Sequence, residues 1–78
     1  MEYIATFFTH FGANQFCRTL KKINIKYRMM PVPRKLSSSC GTCVRFFSDD
    51  IEFSKNSDDI EGLYKIENDD YIAVFINE

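Results

Sequence analysis

Cys40 and Cys43 stand two residues apart in RKLSSSCGTCVRF, residues 34–46, behind three serines and between basic residues. Three chemistries use that spacing. In thiol–disulfide exchange one thiolate attacks and its neighbour resolves the mixed disulfide, so a low attacking pKa helps. In a zinc site the pair supplies two of four ligands. In sulfur or selenium carriage one nucleophilic cysteine accepts a chalcogen atom as a persulfide or selenopersulfide and hands it on. That last task needs an accessible thiol on an adaptable loop.

The neighbouring residues weigh on the choice. A thioredoxin-type pair opens a helix whose N-terminus steadies the thiolate, whereas Cys43 runs into Val44-Arg45-Phe46-Phe47, a β-branched and aromatic stretch that opens a strand. For zinc, the remaining candidates are His10 and Cys17, near one helical face. Cys17 lies in an apolar stripe suited to a buried structural thiol, His10 suits a solvated or capping place, and no second C-x-x-C exists, so no metal is expected. Carriage fits Cys40 best. Ser37, Ser38, Ser39 and Gly41 offer small side chains and backbone N–H groups for an anion-cradling nest, while Arg34, Lys35 and Arg45 add positive charge. The plain alternative is a small-residue turn.

The elements that must position this loop follow from patterning. YIATFF, residues 3–8, is a buried strand. Thr9 caps a helix whose stripe is Ala13, Phe16, Cys17, Leu20 and Ile23, with Arg18, Lys21 and Lys22 outside it. Gly12 weakens its first turn by up to ~1 kcal/mol. INIKYRMM alternates as a half-buried strand, Ile25, Tyr27 and Met29 on one side and Lys26 and Arg28 on the other, ended by Pro31 and Pro33. A loop of about ten residues then leads to the strand CVRFF; loops that long in a compact domain tend to carry function. SDDIEFSKNSDD, from Ser48, has the acids of a first helical turn and predicts a short helix. IEGLYKI and YIAVFIN are strands around a hairpin turn at Asn68-Asp69-Asp70. The order β-α-β-β-α-β with an extra C-terminal hairpin strand predicts an α+β, ferredoxin-like sandwich as a single domain over residues 1–78.

A domain of this size buries only ~60% of its unfolded surface, so its core is marginal. Eight Phe and four Tyr indicate that flat rings fill it. MEYIATFFTHFG shows no basic leader, and no apolar run nears the roughly 18 residues of a membrane span. The expected location is therefore the cytoplasm, with no membrane contact, where thiols stay reduced unless they do chemistry; three cysteines, an odd number, also argue against a closed disulfide framework. Charge is polarised. No Asp or Glu occurs between Tyr3 and Ser48, which hold eight of the ten basic residues, and ten acids follow from Asp49 onward. This is compatible with neutralisation across the fold, with a homodimer, or with a positive field around the cysteine loop. Nucleic acid is not an expected partner, because the RNA-recognition signature is absent. One His and no Gly-rich phosphate loop leave little machinery for a stand-alone enzyme.

YIATFFTHFGANQFCRTLKK followed by YRMMPVPRKLSSSCGTCVRF resembles a small bacterial family described as selenium/sulfur carrier-like proteins, formerly a domain of unknown function. The resemblance rests on a P-x-P-R…S-S-x-C-G combination, here Pro31, Pro33, Arg34, Ser37, Ser38, Cys40 and Gly41, and covers residues 3–47, with IEGLYKI a looser match. It implies a carrier whose acceptor is Cys40, with sulfur or selenium held covalently there, no other cofactor, and donor and acceptor enzymes as partners. The family more usually has a small or apolar residue at the position of Cys43. A thiol there would resolve a persulfide at Cys40 or convert carriage into a thiol relay. The competing expectation is a non-enzymatic interaction or dimerisation module whose cysteines are structural or bind zinc.

Overall fold

The computed structural model describes residues 1–77. Its elements are β1 (Glu2–Phe7), α1 (His10–Lys22), β2 (Tyr27–Pro31), β3 (Thr42–Phe47), a 3-10 turn (Glu52–Asn56), β4 (Ile60–Glu67) and β5 (Asp70–Ile76). The strands form one sheet in the order β2-β3-β1-β4-β5, every neighbouring pair antiparallel. The class is α+β, with one helix on a five-stranded sheet, and the expected extra hairpin strand is β5. No helix among the described residues is long and apolar enough to cross a membrane.

Helix α1 starts where its cap dictates. Thr9 is extended, and its hydroxyl accepts from the Gly12 N–H at 3.0 Å while donating to Asp59 Oδ2 at 3.0 Å. Asp59 lies so close to the first turn that a Cβ at Gly12 would collide with its side chain. Glycine at position 12 thus admits the carboxylate that steadies the cap, a gain set against its intrinsic helix cost. Ala13, Phe16, Cys17 and Leu20 are buried as the stripe predicts. Ile23 is not: it is the C-cap residue and half exposed.

Strand alternation sorts the sheet into two faces. Tyr3, Ala5, Phe7, Val44, Phe46 and Leu63 join the helix stripe in the core. Phe16 sits among rings there, 5.3 Å from Phe7 and 5.3 Å edge-on to Phe46 between centroids. Tyr27 and Met29 pair with Phe46 and Val44, yet both remain 40% exposed on β2, an edge strand with a neighbour on one side only. The helix expected from Ser48 is shortened to the 3-10 turn. Ser48 and Asp50 spend their side chains on backbone N–H groups two residues on, at 3.2 and 2.9 Å, closing turns where a first helical turn would need the chain to continue. Phe53 of the 3-10 turn stacks on Phe16 at 5.9 Å and lids the core.

The second face carries Ile4, Thr6 and Cys43, all buried although no helix lies over them. The connection between β2 and β3, residues 32–41, folds back toward the sheet. Ser38 Oγ donates to the Phe7 carbonyl at 2.7 Å, and Lys35 Nζ reaches the β4–β5 turn, donating to Asp69 O at 3.3 Å. That turn is two residues long, with Asn68 and Asp69 both at positive φ, the conformation a tight hairpin demands.

Candidate functional site

The end of β1, the start of β4, the first residue of α1 and the tip of the 32–41 loop meet around Cys40. The loop ends in Gly41 at φ +73°, a left-handed turn that glycine adopts without strain. Gly41 N donates to Ser38 O at 3.4 Å, and Val32 N to Gly41 O at 3.2 Å, so the tip closes on itself. Cys40 is half-buried and packs against the edge of the core. Its sulfur lies 3.8 Å from Ser38 Oγ and 3.5 Å from the Thr42 carbonyl, toward which the thiol donates. Thr42 Oγ1 is 3.2 Å from Nδ1 of His10, which brings the chain's single imidazole to the same end of the sheet.

Cys43 is in a different setting. It sits inside β3, fully buried, its thiol directed at the Pro31 carbonyl at 3.7 Å. Burial, and secondarily the nearness of Cys40, push this thiol up to about 11 against a smaller opposing pull from Arg45. It is therefore a protonated group at neutral pH. Cys17 is buried in the helix stripe, and desolvation raises its pKa too. Cys40 is left as the accessible thiol of the three.

The expected anion-stabilising residues divide into two groups. Ser38, Ser39 and Gly41 stand around Cys40; Ser37 is exposed on the same loop. Arg34, Lys35 and Arg45 instead line a cleft of ≈370 Å³ with Pro33, Ile66, Asp69 and Tyr71. Two of these cations are engaged elsewhere. Lys35 Nζ lies 3.6 Å from Asp70 Oδ1, and Arg45 is bonded to Glu2, which raises the already high pKa of its guanidinium. Lys35–Asp70 joins the basic run to the acidic one; the other side-chain ion pairs among the described residues, Arg45–Glu2, Lys55–Glu52 and Lys65–Glu67, each stay within or beside their own run.

The donors of the serine tip are taken by a residue that patterning alone passed over. Ser39 donates from its backbone N–H to Glu61 Oε1 at 2.9 Å and from its hydroxyl to Oε2 at 3.1 Å. The donors of Ser39 thus hold a carboxylate, that of Glu61, while the Ser38 hydroxyl is spent on the Phe7 carbonyl. A glycine inside a strand pattern, Gly62 in IEGLYKI, is the sequence signal for a bulge that would have drawn attention to it. Among the described residues no three His, Cys, Asp or Glu side chains converge as a metal site would require.

No curated protein and no solved structure matches the chain. One family model does, over residues 2–65, from the first strand through the cysteine loop and into β4. That stretch contains Cys40 together with Phe7 and Glu61, the residues that fix the loop tip, and the chain belongs to the family described as "Putative Se/S carrier protein-like".

Proposed function

We propose that this protein carries a single sulfur or selenium atom on Cys40 between a donor and an acceptor enzyme in the reducing cytoplasm. The scaffold would be a ferredoxin-like frame trimmed of its second helix. One observation carries the reading: of the three cysteines, Cys40 alone is both accessible and on a loop. The family supports it.

In the loading step the Cys40 thiolate attacks the terminal sulfur of a donor persulfide, R–S–SH. A Cys40 S–S bond forms, the donor S–S bond breaks, and R–S⁻ leaves with its electron pair. The terminal proton stays or is lost to solvent, and no external oxidant is needed. In discharge an acceptor thiolate attacks the same terminal sulfur and Cys40 leaves as thiolate. Selenium follows the same path from a selenopersulfide. Cys43 serves as resolving thiol: its thiolate would attack the inner sulfur of Cys40, form the Cys40–Cys43 disulfide and release HS⁻, after which a dithiol reductant restores both thiols. Its burial and raised pKa favour a slow resolving step and hence a long-lived adduct.

A second reading, an interaction module, draws on the β5 edge, where Ile72, Val74 and Ile76 are 40–54% exposed. Intact mass of anaerobically purified protein, before and after incubation with a low-molecular-weight persulfide, separates the two. The expected result is a reducible increment of one sulfur atom that vanishes in Cys40→Ser and persists in Cys17→Ser. An increment that survives Cys40→Ser would refute the assignment. Loss of two hydrogens without any increment would indicate a thiol relay, and an unchanged mass with reduced thiols would favour the interaction module.

A further inference from the structure

Strand β4 reaches the Cys40 loop with one residue more than its ladder can pair. Thr6 faces Gly62 and Phe7 faces Ile60, so Glu61 is the extra residue of a β-bulge. Such a residue is turned out of the alternating pattern, and bulges recur beside functional sites for that reason. The backbone of Glu61 is itself held, since Asn77 N donates to its carbonyl at 2.8 Å. Both carboxylate oxygens accept from Ser39, the residue directly before Cys40. The carboxylate is thereby held one residue from Cys40, on donors of the kind that stabilise an anion.

We infer that Glu61 is the positioning residue of the carrier loop: its carboxylate clamps Ser39 while Cys40 is a bare thiol, and competes for those donors with any anionic group that arrives at Cys40. The identity of that anion as a terminal persulfide or selenide rests on the proposed carriage; the clamp and its charge do not. Two of the three cations that patterning assigned to this loop are committed elsewhere, Lys35 to Asp69 and Asp70 and Arg45 to Glu2, and the third, Arg34, lines the cleft with them, away from Cys40. Asp59, held by Thr9 at the cap of α1, adds a second carboxylate on β4's approach to the same end of the sheet. The mouth of the site thus disfavours anionic reagents and admits neutral ones, until an anion bonded to Cys40 displaces the carboxylate.

The test is the rate at which the bare Cys40 thiol reacts with neutral iodoacetamide and with anionic iodoacetate, which needs no persulfide. In Glu61→Gln the amide oxygen still accepts from the Ser39 N–H, the amide NH2 donates to the Ser39 hydroxyl oxygen where the carboxylate accepted from it, and the charge is lost. The iodoacetate-to-iodoacetamide rate ratio is expected to rise about three- to tenfold at low ionic strength, and the gain to shrink with added salt. Ser39→Ala, which removes one donor and leaves the charge, is expected to keep the parent ratio. A purely structural clamp would raise both rates together in Glu61→Gln with the ratio unchanged, and that outcome would overturn the inference. A shifted ratio in a protein that never takes up sulfur would sustain the role of Glu61 while defeating the carrier reading; sulfur uptake with an unmoved ratio would do the reverse.

Discussion

Cys40 and Cys43, with two residues between them, live under opposite rules. Cys40 lies near the end of a loop whose tip is fixed by side-chain bonds to distant strands, and its half-buried sulfur meets a hydroxyl and a carbonyl. Cys43 is inside β3, an interior strand flanked by β2 and β1, with no exposed surface. The boundary between loop and strand falls at Thr42. In a helical C-x-x-C both thiols share one turn and one dipole; here the spacing is the same and the environments are not shared. The lesson concerns the motif: spacing brings two sulfurs near each other, but the element they sit on decides which of them is buried and held protonated.

The comparison breaks most readily if the two thiols react alike. At pH 8 a thiol titrating at about 11 is thiolate in roughly one molecule in a thousand, against about a tenth for a thiol at the unperturbed 9.0. Ionisation alone then separates Cys43 from such a thiol by about a hundredfold, before any cost of opening the β2–β3 ladder. Timed alkylation of the native protein, with the sites assigned by peptide mass, should find Cys40 labelled well ahead of Cys43. Comparable rates would mean that β3 opens freely and that the two cysteines form a working dithiol.

A second way to sharpen the contrast uses stability. The folded Cys43 pKa, about 11, lies above its unfolded value near 9.0, so the folded state holds this proton more tightly. The associated stability is fully present below pH 9 and is lost as the pH rises through 11, on the order of 3 kcal/mol in all. Lys and Tyr groups also titrate in that window, so the difference between parent and Cys43→Ala is the quantity of interest. Urea midpoints followed from pH 8 to pH 11 should fall less steeply in the variant. Parallel curves would place Cys43 in water.

Local rules account for the elements that hold the site, and long-range pairing accounts for what they could not reveal. Thr9, Phe16 and Leu20 announce α1 because capping and a 3.6-residue stripe are read within one segment. Asn68 and Asp69 announce their hairpin for the same reason. The course of the 32–41 loop depends on partners 31, 22 and 34 residues away, Phe7 for Ser38, Glu61 for Ser39 and Asp69 for Lys35, and no local pattern carries that information. Arg45 illustrates the error that proximity invites. Two residues beyond Cys43 it suggests a local positive field for the loop, but strand geometry hands it to Glu2. Glu61 was hidden for the converse reason: its role follows from a bulge that exists only once β1 and β4 are paired.

The smallest expected effect tests whether the loop acts as one body. Lys35 holds its far side through an exposed pair with Asp70 and a bond to the Asp69 carbonyl. Exposed pairs of this kind contribute about 0–1 kcal/mol, screened by solvent and salt. Lys35→Ala should therefore cost no more than about 0.5 kcal/mol in a urea titration. It should leave the Cys40 alkylation rate within about twofold of the parent, because the tip is fixed independently by Ser38 on Phe7 and Ser39 on Glu61. A larger rise in the Cys40 rate would show that the turn between β4 and β5 governs the thiol from the opposite end of the sheet. The division would then lie between a mobile loop and a fixed strand rather than between a clamped tip and its surroundings.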